Sequence, residues 1–104
     1  MFKPVLSIEK VKNEDEAVVF KLTGELSSFT LDKAREVLFK EVNSDIALDM
    51  RDLTYIDSSG IGFLILLSEK LKDNGYKLRI LYPSPNLQNL FKLIHLGKIV
   101  EIII

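Results

Sequence analysis

The chain has no cysteine, no tryptophan and a single histidine, His95, in 104 residues. Without a thiol there can be no disulfide framework, thiolate nucleophile or thiolate metal ligand, and one imidazole alone does not make a zinc site. No metal and no cofactor are expected. Neither sign of charge dominates: 14 Lys and Arg stand against 15 Asp and Glu, for a net charge of -1. Such a balance supplies no diffuse basic field for nucleic acid or an anionic membrane, so neither is expected as a partner. Long apolar runs are also missing. The longest, Ile61 to Leu67, falls far short of the ~18 residues that span a bilayer. Met1-Phe2-Lys3-Pro4 leads directly into alternating sequence without the apolar core of a secretory signal. A cytoplasmic protein is expected. Internal repeats and low-complexity segments are absent, which excludes solenoids and propellers. What is present, 47% hydrophobic and 28% charged residues, is the composition of a soluble globular chain, and its length suits one domain spanning residues 1–104.

The hydrophobic pattern divides the chain. Leu6 and Ile8, then Val18, Phe20 and Leu22, alternate with polar neighbours about Asn13-Glu14-Asp15-Glu16, which predicts a hairpin of two strands. Leu31, Ala34, Val37, Leu38 and Val42 recur at helical spacing between Thr30 and Val42. Ile46, Leu48 and Met50 alternate as a third strand, and a second helix runs from Ser58 or Ser59 to about Asp73, stopped by Asn74-Gly75. Gly75 suits a left-handed cap. Leu78, Ile80 and Tyr82 form a fourth strand, Asn86 to Leu96 a third helix capped by Gly97, and Ile99 to Ile104 a last strand. The order β-β-α-β-α-β-α-β calls for an α/β domain: a mixed, mostly parallel sheet of about five strands that opens with an N-terminal hairpin. Most strands alternate rather than run continuously apolar, so the helices are expected mainly on one face.

Ordinary packing accounts least well for Asp57-Ser58-Ser59-Gly60-Ile61-Gly62, at a strand-to-helix turn. Asp57 or Ser58 can cap the helix, and Gly60 and Gly62 permit close approach to the backbone. A cap with small packing residues is one reading. The other starts from position, because reactive groups gather at the carboxyl ends of strands in α/β sheets and a helix N-terminus favours an anion. A phosphate on Ser58 would add a charge of about -1.5 to -2, favoured by the helix dipole and opposed by Asp57. With these terms partly cancelling, little refolding is expected. The switch would act by placing a dianion on a surface that otherwise meets a partner.

The second helix supplies such a surface. Ile61, Leu64, Ile65 and Leu71 make one apolar stripe, while Phe63, Leu66 and Leu67 point round the other side. Either a neighbouring element covers Phe63 and Leu66, or they form an apolar patch beside a modifiable serine. Desolvating a phosphate there would cost more than the ~1.4 kcal/mol that weakens binding tenfold.

Asp57-Ser58-Ser59-Gly60-Ile61-Gly62, preceded by Ala47-Leu48-Asp49-Met50 and Asp52-Leu53, with Leu22-Thr23-Gly24-Glu25-Leu26 upstream, resembles the STAS domain of bacterial anti-sigma factor antagonists over essentially the whole chain. The resemblance implies a phosphoprotein that works by partner switching. The unphosphorylated antagonist binds an anti-sigma factor that is also a serine kinase, the sigma factor is freed, and a serine phosphatase resets the cycle. It names Ser58 as phosphoacceptor, with Asp57, Ser59 and Gly60 shaping its turn. The partner surface would comprise Gly24, Glu25 and Ser28, together with Ile61, Gly62, Phe63 and Leu66 on the second helix. One position departs from the pattern: where the family often carries an acidic residue after Gly-Glu-Leu, this chain has Ser27, which removes a negative charge from the phosphosite surroundings.

Other readings are weaker. An enzyme would need Ser58 or Ser59 as nucleophile and His95 as base, but there is no G-x-S-x-G elbow, and a histidine at a helix end is explained by the dipole. A nucleotide-binding module or a STAS scaffold without a kinase cycle is the alternative, although neither a Walker motif nor a G-x-G-x-x-G follows a strand. Lys70, Lys72, Lys77 and Arg79 read as a solvated face rather than a nucleic-acid patch, with Glu69 and Asp73 interspersed. Ile99 to Ile104 is expected to lie in the sheet under helices. A monomer is expected; a homodimer would follow if that strand formed an open edge.

Overall fold

The computed structural model describes residues 3–12 and 17–104, apart from the side chain of Lys12. The expected turn at Asn13-Glu14-Asp15-Glu16 and the first two residues lie outside the described residues. Strands β1 (Leu6–Lys12) and β2 (Val18–Leu26) pair antiparallel, Leu6 opposite Gly24 and Lys12 opposite Val18. Strands β3 (Ile46–Ile56), β4 (Leu78–Leu81) and β5 (Glu101–Ile103) then add in parallel, giving a five-stranded sheet in the order β1-β2-β3-β4-β5. Helices α1 (Leu31–Leu38), α2 (Ser58–Asp73) and α3 (Pro85–Leu93) make the three crossovers. Right-handed crossovers in a strand order that only advances stack every helix on the same side of the sheet.

Burial follows that arrangement. Phe20, Leu22, Leu48, Met50, Leu78 and Ile80 point under the helices into one core with Ala34, Leu38, Leu64, Leu67, Leu71, Leu87 and Phe91. The other sheet face carries charge: Lys21 pairs with Asp52 at 3.1 Å, Arg51 with Asp49 at 3.5 Å and Arg79 with Glu101 at 2.8 Å. The alternation that placed the helices on one face is thus borne out, and so are the bounds of α2. Its cap glycine, Gly75, has φ +85.

Strand β3 is longer than its alternation suggests. Asp49 pairs with Lys21 but Asp52 with Thr23, and Leu53 pairs with Gly24 but Tyr55 with Glu25. Twice, β3 takes in one residue more than β2, and each such bulge shifts which side chain faces inward. Met50, Leu53 and Ile56 are therefore buried at a spacing of three, which hid Asp52 to Ile56 from a search for period two. The segment read as a connection is strand.

The C-terminal part also departs from expectation. Helix α3 starts at Pro85, capped by Ser84, whose Oγ accepts from the Leu87 N–H at 3.4 Å. It ends at Leu93 rather than Leu96, and the left-handed residue after it is His95, at φ +56, not Gly97. Leaving the helix there lets Leu96 turn into the core, where it is buried. The last strand is only three residues long and does not lie beneath helices on both sides. It is the outer strand next to β4, because the third crossover advances the sheet once more in the same direction. Ile102 is half-buried, while Ile103 and Ile104 are exposed.

Gly24 has φ +103, and a Cβ there would fall on the Val5 carbonyl oxygen, which accepts the Glu25 N–H at 2.9 Å. Gly24→Ala combines a disfavoured backbone region with a clash against main chain, and is expected to destabilise the fold by about 1–3 kcal/mol. Urea unfolding measures it; a loss below about 0.5 kcal/mol would show that the β1 end moves aside freely.

Candidate functional site

The carboxyl ends of β2 and β3 lie side by side, with Leu26 opposite Ile56. The next residue of β3's chain, Asp57, is extended at φ -106 and ψ -176, so its side chain can reach over the start of α2 as the N-cap. Its Oδ1 accepts the Gly60 N–H at 2.9 Å and its Oδ2 accepts the Ser28 N–H at 3.0 Å. One carboxylate therefore joins the first turn of α2 to the loop between β2 and α1. The main chain supports it: the Asp57 N–H donates to the Leu26 carbonyl at 3.3 Å, and the Asp57 carbonyl accepts from Ile61 at 3.0 Å. The Gly60 amide, then the Ser28 amide, hold the Asp57 carboxyl below its ordinary value of 3.8, against a smaller opposing effect of desolvation.

Gly60 is fixed by close packing. A Cβ on it would meet the Leu26 carbonyl oxygen and lie 2.6 Å from Ile56 Cγ1. The expected close approach is thus made by the chain's own β2 and β3, which leaves no cradle for a phosphate ligand at Gly60. Gly62, by contrast, faces open space.

The loop before α1 is built from its own hydroxyls. Thr30 Oγ1 accepts the Ser27 N–H at 3.0 Å and donates to the Glu25 carbonyl at 2.9 Å, and Ser27 Oγ accepts the Phe29 N–H at 3.3 Å. Ser27 is buried inside this turn, so the position where the family pattern puts an acid belongs to the turn's interior. Gly24 and Glu25 are half-buried and Ser28 is exposed.

Ser58, the first residue of α2, is exposed, and among the described residues its hydroxyl makes no protein hydrogen bond. Ser59 is half-buried behind it. Ser58, Gly62 and Leu66 follow at four-residue intervals along the exposed line of α2, Leu66 being 38% exposed. Ile61 and Ile65 lean half-buried against the core. Phe63 does not belong to this surface. It is 3% exposed and stacks on Phe39 with ring centroids 5.2 Å apart, because the 3₁₀ turn Phe39–Glu41 after α1 covers that side of α2.

The structure adds one residue that periodicity passed over. Phe29 is 80% exposed, next to Ser28 on the loop that Asp57 holds. Its signal in the sequence was its isolation: a phenylalanine within Ser27-Ser28-Phe29-Thr30 fits neither the strand before it nor the helix after it. His95 and Ser58 are not brought together, since α3 starts at the carboxyl end of β4 and returns towards the amino end of β5. The four basic residues near the end of α2 are likewise dispersed. Lys70 lies over the Phe39 ring at 5.0 Å and Arg79 pairs with Glu101 across the sheet.

The STAS domain family model matches residues 7–103. The chain belongs to the STAS domain family. It is 29% identical over 100 residues to the anti-sigma-B factor antagonist of Staphylococcus epidermidis, covering 93% of this chain and 92% of that protein. Its fold is similar to that of the anti-sigma factor antagonist SpoIIAA in its unphosphorylated form, at a TM-score of 0.75 and 23% identity over 92% of this chain and 87% of that one. The phosphorylated form of the Bacillus cell fate determinant SpoIIAA superposes with a TM-score of 0.70, again at 23% identity, over 92% and 90% of the two chains. No helix among the described residues of this STAS domain is long and apolar enough to cross a membrane.

Two outcomes are expected at the Asp57 turn. Asp57 contributes stability that is fully present above the ordinary carboxyl pKa and is lost as the pH falls through its lowered folded-state value, so stability falls on acidification below about pH 4. Asp57→Asn should flatten that acid limb in urea titrations, whereas Asp32→Asn, on the exposed face of α1, should leave it in place. Gly60→Ala should cost about 1–3 kcal/mol by overpacking against β2. An unchanged melting curve would contradict the contact with Leu26.

Proposed function

We propose that this STAS domain is an anti-sigma factor antagonist whose Ser58 is a phosphorylation switch. The observation that carries the reading is the exposed, unengaged Ser58 hydroxyl at the first residue of α2, beside a carboxylate already committed to two backbone amides. Its hydroxyl is accessible to a kinase, and a phosphate on it would sit at the positive end of the helix dipole. Asp57 opposes that phosphate electrostatically, but its oxygens remain tied to Gly60 and Ser28, so the dianion enters a turn that need not refold.

The unphosphorylated domain binds an anti-sigma factor serine kinase, in this reading, through Ser28, Phe29, Ser58, Gly62 and Leu66. Phe29 and Leu66 are the apolar anchors on either side of the serine, and Gly62 leaves a gap in the helix surface for a partner side chain. The anti-sigma factor then releases its sigma factor. Phosphate on Ser58 would have to be desolvated between those anchors, which favours dissociation. A serine phosphatase restores the binding form. The curated relative and the fold neighbours, one of them solved in both phosphorylation states, support the reading. The protein acts as a regulator in the cytoplasm rather than as an enzyme.

The test is reconstitution with the anti-sigma factor kinase of the source organism and ATP. Intact mass should show one phosphate on the wild type and on Ser59→Ala, and none on Ser58→Ala. The unphosphorylated wild type and Ser58→Ala should bind the kinase, and the phosphorylated form at least tenfold more weakly. Phe29→Ala should weaken binding about tenfold, as loss of an aromatic anchor does. Phosphate on another residue, or equal affinity of both forms, would overturn the switch.

A further inference from the structure

Charge is unevenly distributed along the chain. Residues 74–104 hold four Lys and Arg against one carboxylate, Glu101, whereas residues 1–73 hold ten against fourteen. The fold gathers part of this excess at a groove of about 350 Å³ between α3 and β5, within the usual range of small-molecule sites. Phe91, Ile102 and Ile104 form its apolar lining and Lys92 and Lys98 its cationic one, with His95 beside them. No acidic side chain lines it. Glu101 precedes Ile102 on the strand, so alternation sends it to the opposite sheet face, where it pairs with Arg79. Among the described residues neither the Lys92 nor the Lys98 ammonium makes an ion pair or hydrogen bond. The left-handed turn at His95 folds the chain back after α3, so lysines from both sides of it meet the same groove.

An apolar lining flanked by two lysines, with no acidic side chain among its residues, complements a molecule with an aliphatic chain and an anionic head. A second copy of the chain fits less well, because an isologous contact over this groove sets Lys92 and Lys98 against themselves. We propose that the groove binds a soluble aliphatic carboxylate, its chain along Phe91, Ile102 and Ile104 and its head between Lys92 and Lys98. This site shares no residue with the Ser58 surface and does not depend on the function proposed for it.

The probe is decanoate, titrated below its critical micelle concentration into the full chain and followed by the backbone amide NMR signals. Saturable one-site shifts centred on Phe91, Lys92, Lys98 and Ile102 are expected. Decyltrimethylammonium, with the same chain and the opposite charge, should bind at least tenfold more weakly. The double variant Lys92→Glu, Lys98→Glu should lose decanoate at least tenfold and reverse that preference, and Lys92→Gln should weaken it by a smaller factor, all with an unchanged melting temperature. Several results would overturn the proposal: no saturable shift, equal binding of the two head groups, or shifts centred elsewhere. Dimerisation that closes the groove in sedimentation would do so as well, as would binding to anionic vesicles without binding to monomeric decanoate.

Discussion

Two hydrogen bonds from backbone N–H groups to one carboxylate set the geometry of the Ser58 surface. Asp57 takes the Gly60 N–H on one oxygen and the Ser28 N–H on the other, and these amides come from segments that the chain separates by the whole of α1 and β3. Remove the carboxylate and each segment retains its own local order, α2 by its helical bonds and the β2–α1 loop by the Thr30 and Ser27 hydroxyls. Their mutual position would then rest on the pairing of β2 with β3, the bond from the Asp57 N–H to the Leu26 carbonyl and the stacking of Phe39 on Phe63. Gly60 makes the same point sterically, because α2 starts so close to β2 that a single methyl group does not fit. Rigid seating of the helix start is what allows Ser58 to stand free at the surface without fraying the turn beneath it.

Signals that act over a few residues were legible in the sequence. The capping aspartate, the Asn74-Gly75 stop and the apolar stripe of α2 defined the helix from Ser58 to Asp73, and alternation in β1, β2 and β4 placed the helices on one face. The candidate turn from Asp57 to Gly62 was visible for the same reason, since cap, serine and glycines are contiguous. What could not be read was set by partners distant in sequence. Ser28 bonds Asp57 across 29 residues, and nothing in either local pattern announces it. Phe63 and Leu66 looked equivalent on a helical wheel, but Phe39 covers only the first. The two bulges of β3 are defined only against β2, and the edge position of β5 only by the whole strand order.

The two faces of the sheet divide the physical tasks. Beneath the helices lies the apolar core, where stability resides. On the bare face, ion pairs such as Lys21–Asp52 and Arg79–Glu101 are exposed and contribute little each. Charge there keeps an uncovered sheet from stacking on another, and both proposed binding surfaces lie instead at the ends and the edge. The Ser58 surface occupies the carboxyl ends of β2 and β3, the groove beside α3 the outer edge at β5. With β4 between them, the two regions have no side chain in common.

The doubled bulge gives β3 a property that no single side chain has. Because it takes in two residues more than its neighbour, the number of residues between Met50 and Asp57 works like a vernier that sets the direction in which the Asp57 carboxylate faces. Exchanging the exposed Arg51 or Thr54 for another residue alters decoration and leaves that count intact. Dropping one residue would advance the strand end by about 3.3 Å and turn every later side chain to the opposite side, carrying the acid away from Gly60 and Ser28. In this stretch the chain's length, more than its chemistry, sets where the carboxylate faces, and an insertion or deletion here would disturb the turn more deeply than many substitutions would.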